Sequence, residues 1–454
     1  RETLRTDWVM PLAGAAPAVA ETPAATPEPV PQKPAPGPKL PRLAPRDLVQ
    51  RLLAMGATIS IGRTGALSPI GKIADLPGER FAIAKVEIIP GDGMSATDLD
   101  IIEQLTDVEE LQLTGVPATD ATLKLLRSLP ALHALTLRDL KGVTVAGFRS
   151  VASLPALKTL AVRGPVGAEG LTAFVANRKL DTLSLNDVTF SEQDLGAVAG
   201  IPALKMLTIT TRDPIVPGAW ARLAGAKKLA TLNVEKTPKS AAMIEQISRI
   251  ATLTSLSLGD VTLPDSDLAP LGALRALGTL KTTAGSTVDG SFFVAWPPNL
   301  KMKSLALLSK SSVTDKALRG IASAFPLLDH LEVRADSAGV TSPGFAHLQK
   351  LRHLSYLSIS GDAVDAAALA HLTVFDKVTH LGIGAARITE TDVRLLVKFP
   401  SLRDLEWSAP PVTDTALKAF AKLHALTQFK IGNATKPENL EKLVTALPTV
   451  KILR

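Results

Sequence analysis

Residues 108–137 read VEELQLTGVPATDATLKLLRSLPALHALTL, and this stretch decides the fold. It begins and ends with one pattern, an apolar residue followed by x-x-Leu-x-Leu, centred on Leu111 and again on Leu135. Leucines at every second position predict a short strand, because successive strand side chains point to opposite faces. From Leu123 to Leu129 the leucines return at helical spacing, and a proline then stops the run. The stretch therefore predicts a strand, a helix and the next strand.

The pattern recurs along most of the chain at steps of 23 to 26 residues. Its middle apolar residue is Leu111, Leu135, Leu160, Leu183, Leu207, Leu232, Leu256, Leu280, Leu305, Leu331, Leu357, Leu381, Leu405 and Phe429. Val86 opens the series, and residues 450–452 are predicted to form a closing strand. One such unit cannot hide its apolar side alone, whereas stacked copies bury a continuous core. The period therefore predicts a solenoid.

Several of the predicted helices begin at a residue whose side-chain oxygen can accept from the free N–H groups of a helix start. These positions are Thr119-Asp120, Ser191, Thr314-Asp315, Thr389 and Thr413-Asp414.

These repeats resemble the leucine-rich-repeat superfamily. The segments ATDATLKLLRSL (118–129), SVTDKALRGIASA (312–324) and VTDTALKAFAKL (412–423) are similar to a bacterial variant with a Val/Ile-Thr-Asp-x-x-Leu second half, and to F-box-associated and ribonuclease-inhibitor-like repeats. The resemblance implies an α/β fold, a right-handed horseshoe-shaped solenoid with a concave parallel sheet and convex helices. Many relatives carry Asn or Cys directly after the strand. This chain instead has Val116, Leu140, Pro165, Val188 and Val261, so the geometry of that turn is not predicted.

Three regions are predicted. Residues 1–45 are rich in Ala and Pro, have little to bury, and are predicted to be a disordered tether. Residues 46–81 are predicted to cap the first repeat, with a helix over 47–56 and a strand over 57–61. The remaining residues, 82–454, form the predicted leucine-rich-repeat solenoid with its closing strand.

The composition argues against several kinds of protein. The 50 basic and 43 acidic residues leave a charge of only +7, with no basic run, so nucleic acid is not expected as a partner. No cysteine is present, which excludes a disulfide framework and a thiolate metal site. No run of apolar residues approaches the length of a membrane span. The Ala-rich composition suits a bacterial source, and the compartment stays open between the bacterial cytoplasm and export.

Most aromatic residues fall in the apolar register and are predicted to fill the core rather than to form a stacking platform. They are Phe148, Phe174, Phe190, Trp220, Phe292, Trp296, Phe399 and Phe420.

The candidate binding residues lie on strand positions that face away from the core. In most repeats these positions hold small polar residues, but in the late repeats the side chains become larger. The candidate site is His330, Glu332, Arg334, Tyr356, His380, Asp404 and Glu406. Tyr and Arg are enriched at binding hot spots, so we predict contact with a protein or peptide partner here. The alternative is unselected variation on a solvated sheet.

Two chemical interpretations of the same strands are weaker. The backbones of His330 and His380 are expected about 9.6 Å apart, with Tyr356 between them, so neither a metal nor another cofactor is predicted. Ser358, His380 and Asp404 are suitable types for a nucleophile, a base and an acid. A regular sheet, however, offers no free pair of N–H groups for an oxyanion hole. The chain is therefore not expected to be an enzyme.

The sequence thus favours a non-catalytic scaffold that binds a protein or peptide through its concave sheet. The alternative is the sensory or substrate-docking region of a larger signalling enzyme, such as a kinase, whose catalytic domain is absent from this chain. The oligomeric state is not predicted.

Overall fold

The computed structural model describes residues 41–453, except 64–65, 79, 92, 165, 385–386, 409–412 and 433–436. The predicted tether falls almost wholly outside these residues and stays a prediction.

The strands are β1 Thr58–Arg63, β2 Ala66–Ile70, β3 Ile83–Ile88, β4 Glu110–Thr114, β5 Ala134–Arg138, β6 Thr159–Arg163, β7 Thr182–Asn186, β8 Met206–Thr210, β9 Thr231–Glu235, β10 Ser255–Leu258, β11 Thr279–Ser286, β12 Ser304–Ser309, β13 His330–Arg334, β14 Tyr356–Ser360, β15 His380–Gly384, β16 Asp404–Trp407, β17 Gln428–Ile431 and β18 Lys451–Leu453.

The α-helices are α1 Pro45–Ala54, α2 Asp120–Leu125, α3 Val145–Ala152, α4 Gly167–Thr172, α5 Glu192–Ala199, α6 Pro217–Arg222, α7 Ala241–Ile247, α8 Asp315–Ala324, α9 Ala366–Leu372, α10 Asp414–Phe420 and α11 Pro437–Ala446. Short 3-10 helices, alone or after an α-helix, cover Ile73–Asp75, Ala96–Gln104, Leu126–Ser128, Ala173–Ala176, Leu223–Gly225, Asp265–Ala273, Ser291–Ala295, Ser342–Lys350 and Asp392–Lys398.

Strands β3 to β18 form one parallel sheet in which each strand pairs with the next along the chain. The middle residues of the repeated pattern lie opposite one another across successive strands, as Leu111 does with Leu135 and Leu405 with Phe429. Every residue of this column, from Leu111 to Phe429, exposes at most 2% of its surface. The column is therefore the centre of one continuous core, and the predicted solenoid of strand–helix units is confirmed.

The first repeat is covered by α1 and a β-hairpin. The helix α1 and the strand β1 form where the sequence predicts them. Strand β2 was not predicted; it pairs antiparallel with β1, which in turn pairs antiparallel with β3. Pro69 lies within β2, and proline is tolerated there because an edge strand leaves one side without ladder hydrogen bonds.

Three turns that follow a strand share a left-handed aspartate at the position before the one that holds Asn or Cys in many leucine-rich repeats. Asp139, Asp187 and Asp260 adopt φ values of 54°, 49° and 54°, in the left-handed region. Short polar residues tolerate this conformation better than most others. The following residue then turns inward, and Val188 and Val261 expose no more than 1% of their surfaces. At the same position Thr237 is also buried, and its hydroxyl donates to Asp213 O in the preceding turn, so the column holds both apolar and hydrogen-bonded polar side chains.

The Thr-Asp pairs have two roles. Thr314 Oγ1 accepts from the Ala317 N–H at the start of α8, as predicted for a cap. The neighbouring Asp315 carboxylate accepts from the N–H and the hydroxyl of Thr341 in the next repeat, at 2.9 and 2.8 Å. Asp120 makes the same pair of hydrogen bonds with Thr144. The threonine of the pair therefore caps the helix of its own repeat, and the aspartate binds the start of the next repeat.

The prediction that the aromatic residues fill the core is confirmed. The eight predicted residues expose between 0% and 8% of their surfaces. Phe292, Phe293, Trp296 and Phe325 form the densest cluster, with ring centroids 4.1 to 5.7 Å apart.

A candidate binding surface on the sheet

Strand register brings the predicted site residues into two neighbouring columns on the sheet face opposite the helices. His330, Tyr356, His380 and Asp404 lie opposite one another on β13 to β16. Two residues further along the same strands, a second column reads Glu332, Ser358, Gly382 and Glu406. The parallel, in-register ladder is what brings together side chains that are about two dozen residues apart in sequence.

Three rings of the first column stack face to face. The centroids of His330 and Tyr356 are 3.8 Å apart with planes at 13°, and those of Tyr356 and His380 are 4.0 Å apart at 6°. All three side chains are half-buried. Stacking fixes the rings with little remaining rotamer freedom, so a partner that contacts them loses little further side-chain entropy.

Two carboxylates stand beside the ring stack with small residues between them. Glu406 pairs with Lys430 at 3.2 Å. Glu332 makes no ion pair with any described residue. Between them in register are Ser358 and Gly382, and a Cβ at Gly382 would come within 2.6 Å of Ser358 Oγ. We call the ring stack together with these two glutamates the ring patch.

Burial and neighbouring charge set the protonation of the ring patch. Burial raises the pKa of Glu332, and the nearby Glu406 raises it further, whereas Lys281 acts in the opposite direction. Burial lowers the pKa of both His330 and His380. At pH 7 the imidazoles are therefore neutral, and the charge of the ring patch comes from its carboxylates.

Two residues of the region lie away from the ring patch. Arg334 is two register positions beyond Glu332, opposite Ser360, and its guanidinium donates to Asp336 at 2.8 Å. His371, nine residues before His380, is on α9, on the helix side of the sheet. Arg334 therefore lies at the margin of the site, and its charge is already paired.

Sequence reasoning missed Lys281 and Lys430. Lys281 immediately follows Leu280, as Glu332 follows Leu331, and Lys430 follows Phe429 in the same way. Counting this position through every repeat would have placed both lysines in the column of the two glutamates.

The structure gives the other two chemistries of these strands no supporting geometry. Ser358 lies opposite Gly382 rather than His380, and no hydrogen bond within the described part of the chain joins Ser358, His380 and Asp404. The Tyr356 ring occupies the space between the two imidazoles.

A second group of charges lies where β9 meets the turn that leads to α7. The Lys239 ammonium is buried and has no hydrogen-bond partner among the described residues. Burial lowers the pKa of Lys239 to about 8, although the carboxylates of Glu235 and Asp260 act in the opposite direction. Burial of the charged Lys239 side chain therefore lowers the free energy of unfolding.

The pH dependence of Lys239→Met tests this burial. Between about pH 8 and pH 10.5 the unfolded wild-type chain holds more protons than the folded one, so wild-type stability rises with pH in that window. We expect the stability of Lys239→Met relative to wild type to fall by about 1–2 kcal/mol between pH 7 and pH 10, after discounting for partial exposure. Urea unfolding at both pH values measures it. Lys236→Met, at an exposed neighbour, should show no such change; equal slopes in the two variants would contradict the assignment.

Comparisons with known proteins bear on the fold. No family model and no curated protein matches the chain. Among solved structures, an internalin from Listeria monocytogenes is 17% identical, with a TM-score of 0.51 over 76% of this chain and 90% of its own. A leucine-rich-repeat protein from Leptospira interrogans is 15% identical, with a TM-score of 0.43 over 78% of this chain and 91% of its own. At these identities the internalin likeness shows the fold alone.

Proposed function

Because the chain has the fold of a leucine-rich-repeat solenoid, we propose that it is a binding scaffold whose ring patch holds a protein or peptide partner. The observation that carries the proposal is the stack of His330, Tyr356 and His380 on an open sheet face. On the four strands before it, β9 to β12, the same column holds the small residues Thr231, Ser255, Thr279 and Ser304. Rigid aromatic side chains with a polar atom at the tip supply large contact area at low entropic cost.

The charges of the ring patch favour a partner segment that presents Lys or Arg. Glu332 is a carboxylate with no ion-pair partner among the described residues, and burial and Glu406 both disfavour its charge. A cation from a partner would relieve that cost and form a charge-assisted hydrogen bond. Ser358 and Gly382 lie between the two glutamates in register, and neither carries a charge that would repel a basic side chain.

A displayed random-peptide library, selected on the full chain, tests the proposal. We expect the recovered peptides to be enriched in Lys or Arg. Tyr356→Ala should weaken their binding about tenfold, because it removes the central ring and leaves two unstacked imidazoles. Replacing His330, Tyr356 and His380 together with Ala should abolish it. Titration of labelled peptide with each variant measures the affinity.

The matched control changes the same column on β9 to β11. Replacing Thr231, Ser255 and Thr279 with Ala alters three positions in the same register but no ring. This variant should bind like wild type. Retention of peptide binding by a folded ring-patch triple variant would refute the proposal, and so would equal loss in the control.

A further inference from the structure

One edge of the solenoid carries a concentration of positive charge that is independent of the ring patch. The six turns that lead into β7 to β12 contain nine basic residues and a single acidic one, Asp181. The basic residues are Arg178, Lys179, Lys205, Lys227, Lys228, Arg249, Arg275, Lys301 and Lys303. All nine are exposed, and every residue of these turns is described. We call this set the basic edge.

Backbone hydrogen bonds hold these turns side by side. The Lys205 N–H donates to Asp181 O, the Ala230 N–H to Lys205 O, and the chain of bonds continues to the Lys303 N–H on Gly278 O. Neighbouring strands lie about 4.8 Å apart, so six consecutive turns extend over about 24 Å. Residues scattered over 126 positions of sequence, from 178 to 303, therefore form one surface.

The charge of the basic edge is largely uncompensated. Among the described residues, only two of its members pair with a carboxylate: Lys205 with Asp181 at 3.9 Å and Arg249 with Glu245 at 2.7 Å. Over the same repeats, the turns on the opposite edge of the solenoid are balanced. They hold Arg212, Lys236, Lys239 and Lys310 against Asp187, Asp213, Asp260 and Asp289.

Exposed apolar side chains lie among these cations. Leu300 precedes Lys301 and is 59% exposed; Met206 follows Lys205, and Val175 lies shortly before Arg178, each 38% exposed. Basic residues near helix ends also stabilise the carbonyl end of the helix dipole. Stabilisation of the helix dipole is confined to the last helical turn. It does not explain why the apolar side chain of Leu300 is exposed to solvent.

We propose that the basic edge docks on the surface of a lipid bilayer that contains anionic headgroups. Lys and Arg near such a surface each contribute about 1 kcal/mol, and interspersed apolar side chains enter the headgroup boundary. A single-stranded nucleic acid would need exposed aromatic side chains for base stacking. The only aromatic residue in the six turns is Trp296, which is buried. Among the described helices, none is both long and apolar enough to span a membrane, and docking needs none.

Vesicle co-sedimentation of the full chain tests this docking. We expect binding to vesicles of phosphatidylcholine mixed with phosphatidylglycerol and none to phosphatidylcholine alone. Changing Lys227, Lys228 and Lys301 together to Glu should weaken binding by about 100-fold or more, because each reversal replaces an attraction with a repulsion. Leu300→Ser should reduce the part of the binding that survives high salt, since salt screens only the charges.

The control variant has the same net charge but changes the opposite edge. It carries Arg212→Glu, Lys236→Glu and Lys310→Glu, at three exposed positions, and should bind the mixed vesicles like wild type. A set with Gln at Lys227, Lys228 and Lys301 covers the case in which the Glu variant fails to fold. Equal loss in the control, equal binding to neutral vesicles, or binding only to a nucleic-acid oligomer would each overturn the proposal. Ring-patch variants should leave vesicle binding unchanged.

Discussion

Phe293→Ala is expected to lower the free energy of unfolding by about 3–5 kcal/mol, the usual range for removing a fully buried aromatic ring. Phe293 is 1% exposed, and its ring lies 4.1 to 5.1 Å from those of Phe292, Trp296 and Phe325. The surroundings cannot easily collapse into the cavity. A Cβ at Gly320 of α8 would already come within 2.7 Å of the Val294 backbone nitrogen.

The loss should also divide the solenoid into two parts that unfold separately. Each repeat contacts only its neighbours, so a weak interface in the middle breaks cooperativity. Urea unfolding, with hydrogen exchange followed on both sides of residue 293, measures both effects. Val294→Ala, at the next residue and 44% exposed, is the control and should cost less than about 1 kcal/mol. A similar small cost for Phe293→Ala would show that the aromatic cluster does not hold these repeats together.

The fold could be predicted because the strand leucines recur at one nearly constant spacing along the chain. Leucines such as Leu111 and Leu135 are at strand positions at every step, and the parallel register follows from stacking identical units. The hairpin strand β2 lacks that period and contains Pro69, so its pattern did not indicate a strand. Likewise, the left-handed turn at Asp187 depends on backbone geometry that residue type alone does not determine.

For the candidate site, the sequence predicts which residues lie next to one another on the sheet, but not how their side chains are arranged. Alternation along strands placed His330, Tyr356 and His380 together, but it did not predict that their rings stack face to face. Side-chain torsions decide that, and they depend on all neighbours at once. Arg334 is a candidate by residue type, because arginine is common at hot spots, but its guanidinium is paired with Asp336 in the structure.

The basic edge escaped sequence reasoning for a different reason. Its cations, such as Lys205 and Lys301, do not form a run, because each turn supplies only one or two of them. In a solenoid, charges about 24 residues apart are neighbours about 4.8 Å apart. Charge in such chains is therefore best counted at a fixed position of the repeat.

Glu332→Lys is expected to weaken binding of the library-selected basic peptides about 100-fold or more. The change removes the carboxylate that has no ion-pair partner among the described residues and puts a like charge in its place. Loss of one partner of a desolvated charge pair costs about 2–5 kcal/mol. Glu332→Gln, of nearly the same shape, should lose about 10-fold, the value of a charge-assisted hydrogen bond. Peptide titration compares both with the wild-type chain.

The pH profile separates charge recognition from shape recognition. As pH falls from 7, Glu332 takes up a proton earlier than an ordinary glutamate because its pKa is raised. Burial lowers the pKa values of His330 and His380, so both imidazoles become cationic at a lower pH than an ordinary histidine does. Both changes disfavour a basic peptide, so wild-type affinity should fall steadily with acidification. Glu332→Gln lacks the protonation of Glu332 and should give a flatter profile. If wild type and Glu332→Gln fall in parallel while both stay folded, Glu332 does not bind the cation.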